Sequence, residues 1–209
     1  MKVTKFVNKV DFAANLYVVE DKVNFIVDPG FYNNEVASYL KKIGGVSFIL
    51  LTHGHIDHIN GIDYIVKDYP KCKIYASNEE LELINNYRRN CSFDLKKVKY
   101  EPKNEVIGLF EGENNLNDEV FELISTPGHT RGSCCYYFKD EQVLFTGDFI
   151  FEYSIGRTDL PTGSEVEMYD SLNKFKELNL PLETKVYPGH DSVSDLKTII
   201  KVNYLLKNN

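Results

Sequence analysis

The sequence contains no tryptophan, only four cysteines and no long uninterrupted run of apolar residues. The cysteines form no C-x-x-C pair, and two of them, Cys134 and Cys135, are neighbours in the chain. Neighbouring cysteines rarely bridge each other, because a disulfide holds its two Cα atoms about 4.4–6.8 Å apart. We therefore expect free, buried thiols and a reducing environment.

The sequence also indicates neither a basic surface nor a membrane span. The 209 residues carry a net charge of −7 and contain no run of lysine and arginine of the required length, whereas a general nucleic-acid binder needs a basic face. No segment approaches the roughly 18–20 apolar residues of a membrane span, and the start of the chain has no signal-peptide pattern. We expect a cytoplasmic protein that acts on a small molecule, as a monomer or homodimer, with no nucleic-acid or membrane partner.

Strand-like and helix-like apolar patterns follow one another along the chain, with no linker and no repeat. Helices are predicted near 36–43, 62–66, 78–87, 164–175 and 196–204, with Asn78 as an N-cap and a capping box at Ser164 and Glu167. Strands are predicted at 16–20, 23–27, 46–51, 73–76, 96–101, 120–124, 134–138, 143–145 and 184–187. This mixture indicates one α/β domain, residues 1–209, with sheets covered by helices.

All five histidines and two aspartates lie at the end of a predicted strand or in the turn after it. They are His53, His55, Asp57, His58, His129, Asp148 and His190. Strand ends and their loops are where a rigid scaffold displays reactive groups. The segment H-x-H-x-D-H, with three histidines and one aspartate in six residues, has no ordinary packing role.

These residue types are those that bind divalent metal ions such as zinc. His53 and His55 can converge on one ion, whereas Asp57 and His58 can reach a second ion beside it. The remaining histidines complete the two sets, and Asp148 can place one oxygen on each ion. Two ions about 3.5–4 Å apart hold a hydroxide that is nucleophilic at neutral pH. The sequence therefore predicts a two-metal hydrolase, with zinc as the expected metal and iron or manganese as alternatives.

Four motifs in this order resemble the metallo-β-lactamase superfamily: T-H-G-H-I-D-H at 52–58, P-G-H-T at 127–130, T-G-D at 146–148 and P-G-H at 188–190. The turn Asp28-Pro29-Gly30 resembles an early motif of the same family. The resemblance implies a four-layer αβ/βα sandwich, in which two mixed β-sheets are flanked by helices and the site lies at one edge of the sheets.

The resemblance also implies how the seven residues divide between the two ions. His53, His55 and His129 would hold the first ion, and Asp57, His58 and His190 the second. Asp148 would bridge them, and Asp57 and Asp148 would be the catalytic carboxylates. Lactamases of this superfamily generally lack the bridging aspartate, so its presence implies a substrate other than an antibiotic.

The segment S-I-G-R-T-D-L-P at 154–161 resembles the short bacterial relatives of glyoxalase II. That resemblance implies a thioesterase that hydrolyses acyl-glutathione, such as S-lactoylglutathione. Arg157 matches a basic residue that contacts glutathione in full-length enzymes, and could bind a substrate carboxylate. The alternative for Arg157 is a structural ion pair, with Asp159 as a candidate partner.

Two other activities use the same motifs. Persulfide dioxygenases share the G-R-T-D segment and hold one iron ion through residues matching His53, His129 and Asp148. A lactonase would use the full set of seven residues on an acyl-homoserine lactone. An RNA-processing nuclease would need a basic surface that the composition does not provide. A purely structural zinc site is usually four-coordinate and rich in cysteine, which disfavours a non-enzymatic binding module.

Overall fold

The computed structural model describes residues 1–207 and contains two six-stranded sheets. The first sheet has the order β1 (Lys2–Phe6), β2 (Leu16–Glu20), β3 (Asn24–Val27), β4 (Phe48–Leu51), β5 (Lys73–Ser77) and β6 (Val106–Leu109). The second sheet, from one edge to the other, consists of β12 (Ser194–Asp195), β11 (Lys185–Pro188), β10 (Val143–Gly147), β9 (Cys134–Phe138), β8 (Glu119–Ser125) and β7 (Gly112–Leu116). Both sheets are mixed, because β3 to β6 run parallel in the first, and β10 and β11 run parallel in the second.

The helices cover the outer faces of the two sheets. They are α1 (Asn34–Lys42), α2 (Ile56–Ile59), α3 (Ile62–Asp68), α4 (Leu81–Ile84), α5 (Ser92–Lys96), α6 (Glu165–Glu177) and α7 (Leu196–Val202). Side chains of α1 and α3 pack on the first sheet, and side chains of α6 and α7 pack on the second. This order of layers is the αβ/βα sandwich that the resemblance implied.

The alternation of side chains along each strand builds the layers. In β2, Leu16 and Val18 belong to the cluster under α1, while Tyr17 and Val19 point between the sheets, as the two-residue period of a strand requires. Aromatic rings dominate the space between the sheets; the ring centroids of Phe25 and Phe138, from opposite sheets, lie 5.4 Å apart. Phenylalanine and tyrosine thus supply the large apolar surface of the central core.

The region 90–118 departs most from the sequence-based prediction. The predicted strand at 96–101 is wrong, because α5 occupies Ser92–Lys96 and Lys97 then adopts a left-handed conformation with φ 56°. The strands β1, β6, β7 and β12 were not predicted. β7 is polar, with the sequence GENNL, and its turn into β8 places Asn117 and Asp118 at φ 54° and 69°. Such a two-residue turn is typical of a hairpin, and its Asn-Asp pair was the available signal.

The predicted helix boundaries are correct in some places and wrong in others. Ser164 caps α6 by accepting a hydrogen bond from the backbone N–H of Glu167, as predicted. Asn78 does not cap a long helix; it begins a short 3₁₀ turn, Asn78–Glu80, that leads into the four residues of α4. The chain then turns back through the loop 85–90, so the helix predicted to reach residue 87 ends early. The four cysteines are free and buried, as expected. None of the helices within residues 1–207 has the length and apolarity needed to cross a membrane.

Candidate metal centre

The seven predicted ligands meet at the edge where strands of both sheets end. The loop after β4 and the start of α2 provide His53, His55, Asp57 and His58. The loops after β8, β10 and β11, all in the second sheet, provide the other three: His129, Asp148 and His190. Six of the seven residues are buried, and the side chain of His190 remains 25% exposed. The sandwich therefore gathers residues that are up to 137 positions apart (190 minus 53) in the sequence.

The first predicted set forms a tight triangle of nitrogen atoms. Nε2 of His129 lies 2.9 Å from Nδ1 of His55 and 3.2 Å from Nε2 of His53. A tetrahedral zinc ion with bonds of about 2.0–2.1 Å to nitrogen holds its ligand atoms about 3.3–3.4 Å apart. The triangle is therefore close to the size that one ion requires.

The second predicted set lies directly beside the first. Oδ2 of Asp57 is 3.2 Å from Nε2 of His190 and 3.8 Å from Nε2 of His58. Asp148 lies between the two sets, because its Oδ2 is 3.5 Å from Nε2 of both His129 and His190. Its Oδ1 is 3.4 Å from Nε2 of His58. A carboxylate in this position can contribute an oxygen to each of two neighbouring ions.

Unpartnered polar atoms test whether the residues fit metal ions. Nε2 of His55, Nε2 of His58 and Oδ1 of Asp148 are buried, and within residues 1–207 none of them has a hydrogen-bond partner. Leaving such an atom unsatisfied costs about 1–3 kcal/mol, more if it is charged. Two of the three, on His58 and Asp148, face each other across the centre. A cation bound between His58 and Asp148 would satisfy both of these atoms, whereas His55 directs its other ring nitrogen, Nδ1, at the first set.

The electrostatics differ between the two sets: although burial opposes it, the neighbouring carboxylates raise the pKa of His58 and His190, whereas the histidines of the first set are held in the form that binds metal. Burial lowers the pKa of His55 to about 3, and burial with the neighbouring histidines lowers the pKa of His53 well below its ordinary value. Both imidazoles are therefore neutral at pH 7, with a nitrogen lone pair available. Burial opposes ionisation of Asp148, but His58, followed by His129 and His190, holds the pKa of this carboxyl below its usual range.

Hydrogen bonds from surrounding residues orient the ligands. Asp28, in the D-P-G turn after β3, accepts from Thr52 at both oxygens, and its Oδ2 lies 3.0 Å from Nδ1 of His58. The backbone oxygen of Arg157 lies 2.7 Å from Nδ1 of His129. Each contact leaves the opposite ring nitrogen, Nε2, directed at the centre. The role of Asp28 was missed, although its motif was part of the family resemblance.

Comparison with known proteins now identifies the family. The model for the metallo-beta-lactamase superfamily matches residues 10–190. The chain belongs to the metallo-beta-lactamase superfamily. A probable metallo-hydrolase of Methanocaldococcus jannaschii is 34% identical over 193 residues, which cover 90% of this chain and 92% of that protein.

Solved structures of superfamily members have the same fold. The B3 metallo-beta-lactamase BLEG-1 aligns with a TM-score of 0.88 at 29% identity, over 99% of this chain and all of that one. The protein TTHA1623, solved in a di-iron-bound form, aligns with a TM-score of 0.83 at 26% identity, again over 99% and 100% of the two chains. These matches confirm the predicted fold class and the metallo-hydrolase family.

In this superfamily member a cavity of about 280 Å³ opens beside the seven residues. Phe12, Leu95, Phe151 and Leu160 give it apolar walls. The ring of Phe12 stacks on the imidazole of His190, with centroids 5.3 Å apart and an angle of 16° between the planes. The cavity therefore offers an apolar surface next to the second ligand set.

Arg157 lines the same cavity but has a partner already. Its Nε and Nη2 donate to the two carboxylate oxygens of Asp159 at 2.6 and 2.7 Å. The structure thus contains the ion pair that was one of the two predicted alternatives. Because both side chains are more than 60% exposed, a surface pair of this kind is weak and could be exchanged for a substrate carboxylate.

Proposed function

We propose that this protein is a hydrolase with two metal ions, and that it cleaves thioesters. The observation that carries the proposal is the division of seven ligand residues into two adjacent sets with Asp148 between them. Divalent ions held by these residues would supply hydroxide at neutral pH and would polarise a substrate carbonyl. Asp57 and Asp148 neutralise part of the cationic charge, leaving a site that stabilises an oxyanion.

The protein's own residues hold and shield the reacting group. The neutral rings of His53 and His55 are kept in place by their burial, so the first ligand set does not reorganise when a substrate arrives. The apolar side chains of Phe12 and Leu95 form a wall of the cavity, which limits the access of water to the carbonyl. A thiolate leaving group requires no strong general acid, since free thiols have a pKa near 8.5. This agrees with a centre in which Asp57 and Asp148 both belong to the proposed ligand sets.

We further propose acyl-glutathione, with S-lactoylglutathione as the first example, as the substrate class. A hydroxyacylglutathione hydrolase of Francisella tularensis is 31% identical over 176 residues, which are 84% of this chain and 62% of that enzyme. The exposed guanidinium of Arg157 at the cavity wall is positioned to meet a carboxylate of glutathione. Zinc is the proposed metal, because a related polyketide-biosynthesis hydrolase of Bacillus subtilis, 28% identical over 179 residues, is described as zinc-dependent.

The metal content of the purified protein tests the centre. We expect close to two equivalents of zinc, or of zinc mixed with iron and manganese, by elemental analysis. One equivalent of iron alone would overturn the dinuclear proposal and support the dioxygenase alternative, which oxygen uptake with glutathione persulfide would then establish. Absence of metal after reconstitution would contradict both.

Substrate assays on the loaded enzyme test the reaction. We expect S-lactoylglutathione and other acyl thioesters to be hydrolysed faster than an acyl-homoserine lactone or a β-lactam. Replacing Asp57 with alanine should remove one metal equivalent and reduce hydrolysis at least about 100-fold, since Asp57 is the only carboxylate proposed for the second ion alone. The exposed aspartate of helix α6, replaced in Asp170→Ala, is the control. Full activity of Asp57→Ala would show that the second ion is dispensable.

A further inference from the structure

Glu80 is a fully buried carboxylate that belongs to none of the motifs. It lies in the 3₁₀ turn after β5, and 1% of its surface is exposed. Burying a carboxylate destabilises the folded state unless hydrogen bonds satisfy its oxygens. The hydrogen-bond partners of Glu80 therefore show which segments it connects. Those partners lie in the two loops that carry the first ligand set.

The two carboxylate oxygens of Glu80 bind different loops. Oε1 accepts the backbone N–H of Gly54 at 2.9 Å, and Gly54 stands between His53 and His55. Oε2 accepts the backbone N–H of Gly132 at 2.8 Å and the hydroxyl of Thr130 at 3.0 Å. Thr130 directly follows His129 in the chain. One side chain therefore connects the β4 loop of the first sheet to the β8–β9 loop of the second.

The fit around this carboxylate is close. A Cβ atom added to Gly132 would lie 2.4 Å from the backbone nitrogen of Glu80 and 2.5 Å from its Oε2. The loop therefore approaches Glu80 with its backbone, and charge-assisted hydrogen bonds of this kind are stronger than neutral ones. The distance between the two loops is fixed by the width of one carboxylate group.

We propose that Glu80 is a positioning residue for the first metal ion. By fixing the β4 loop against the β8–β9 loop, it sets the separation at which the nitrogens of His53, His55 and His129 converge. This inference rests on the proposed metal centre, and it assigns Glu80 to the first ligand set and not to the second. Asp57, His58 and His190 are outside the two hydrogen-bonded segments that end on Glu80.

Glu119 provides a matched control. It is also a buried glutamate, 2% exposed, and its Oε1 accepts the backbone N–H of Val23 at 2.9 Å. This contact joins the two sheets at the start of β3, whereas the metal centre lies beyond the end of β3. Glu119→Gln therefore has the loss of stability expected when a buried glutamate is changed, but it alters no residue next to a ligand loop.

The experiment measures zinc binding by chelator competition at pH 8, with the metal alone as ligand. Glu80→Gln keeps the shape of the side chain but replaces one acceptor oxygen with an NH₂ group, which faces a donor. We expect one of two zinc equivalents to bind about 10–100-fold more weakly, as is typical when a residue supporting a metal ligand is changed. The affinity for the other zinc equivalent should stay within about threefold of the wild-type value. The same holds for the affinities of both equivalents in Glu119→Gln.

A background variant identifies which ion is affected. His190→Ala removes a ligand of the second set, so the remaining zinc reports on the first. Adding Glu80→Gln should weaken this remaining zinc by the same factor, and cobalt(II) substituted at the site should show weaker visible absorption as its tetrahedral geometry is lost. Unchanged affinity in this background, or equal weakening of both equivalents in the single variant, would overturn the inference.

A milder pair of variants covers the case in which Glu80→Gln does not fold. Thr130→Val removes the hydroxyl that donates to Oε2 and that also lies 2.6 Å from Oγ of Ser133, while Thr130→Ser retains both contacts. We expect Thr130→Val to weaken the binding of the first zinc ion and Thr130→Ser to bind it as the wild type does. Equal zinc affinities of the two variants would contradict the proposal. If the wild-type protein itself binds no zinc, the proposed metal centre is wrong. If the wild type binds two ions and Glu80→Gln binds them equally well, the metal centre stands and only the role of Glu80 is wrong.

Discussion

At the scale of single residues, the side chains around the centre divide into the proposed metal ligands and those that only line the cavity. Phe12 belongs to the second kind. Its ring is 61% exposed, although it stacks on His190. An exposed aromatic ring beside the proposed metal centre is available to an incoming apolar group.

We predict that Phe12→Ala raises the KM for thioesters about three- to tenfold and changes kcat by less than about twofold. The reason is the loss of roughly 1 kcal/mol of apolar contact with the substrate, while the ligand residues stay in place. Steady-state kinetics on an acyl thioester measures both constants. Phe110→Ala, at a phenylalanine that is 72% exposed and outside the cavity, should change neither. A drop in kcat with an unchanged KM would instead mean that Phe12 supports His190.

Glu80 also gives a prediction for stability. Burial raises the pKa of Glu80 to about 7, although its hydrogen bonds with Gly54, Thr130 and Gly132 act in the opposite direction. Since this pKa lies above the unfolded value near 4.5, the folded state holds the proton more tightly. The stabilisation is therefore complete below about pH 4.5 and is lost as the pH rises through 7.

We accordingly predict that the metal-free wild type loses stability relative to Glu80→Gln between pH 5 and pH 8. Glutamine has no proton to release, so the difference in unfolding free energy should shift in favour of the variant by about 2–3 kcal/mol. Urea denaturation of both proteins at the two pH values measures this shift, and other titrating groups cancel in the difference. A difference that is the same at both pH values would show that the carboxyl of Glu80 titrates normally.

At the scale of elements, the ends of four strands place the ligands, and the loops after them complete the centre. The segment after β10 turns back so that Gly156 passes directly over Asp148. A Cβ atom on Gly156 would lie 1.9 Å from the backbone oxygen of Asp148 and 3.1 Å from Nδ1 of His129. Only glycine allows the chain to approach so closely.

We predict that Gly156→Ala lowers kcat/KM at least about tenfold and weakens zinc binding. The added methyl group must displace the segment that bears Arg157, whose backbone oxygen orients His129. Gly44→Ala is the control, because Gly44 has a left-handed φ of 86° but no atom within 4 Å of the added carbon. That control should cost about 1–2 kcal/mol of stability, because the added Cβ is strained at a left-handed φ, and it should leave activity unchanged. Wild-type activity in Gly156→Ala would show that the segment can move without affecting the ligands.

The same scale shows what the sequence could predict. The motif residues and the core strands from Leu16–Glu20 to Lys185–Pro188 follow from local patterns, because buried strands are apolar and their ends carry the histidines. Polar β7 and the short helix α5 do not, since tertiary contacts decide their structure. Glu80 was also missed: a lone glutamate has no local signal, and its role depends on loops that are 26 and 52 residues away.

At the scale of the whole molecule, the ligands come from both halves of the sandwich. Four follow β4 in the first sheet, and three follow strands of the second. Two ions bound by residues of both sheets would therefore join the sheets at this edge. They would also satisfy the buried atoms of His58 and Asp148 that have no hydrogen-bond partner within residues 1–207. Metal that binds only the folded state stabilises it by about 2.7 kcal/mol per site at a free concentration of 100 times Kd.

We predict that removing zinc with a chelator lowers the Tm by about 10–20 °C. Two sites contribute about 5 kcal/mol under these conditions, and a domain of this size shifts by about 2–4 °C per kcal/mol. Scanning calorimetry at matched pH measures the shift, and restoring zinc should reverse it. A double variant, His53→Ala with His190→Ala, removes one ligand from each set, so its Tm should respond little to zinc. An identical Tm for chelated and zinc-loaded wild type would mean that zinc does not bind preferentially to the folded protein, because any ligand that binds only the folded protein must raise its Tm.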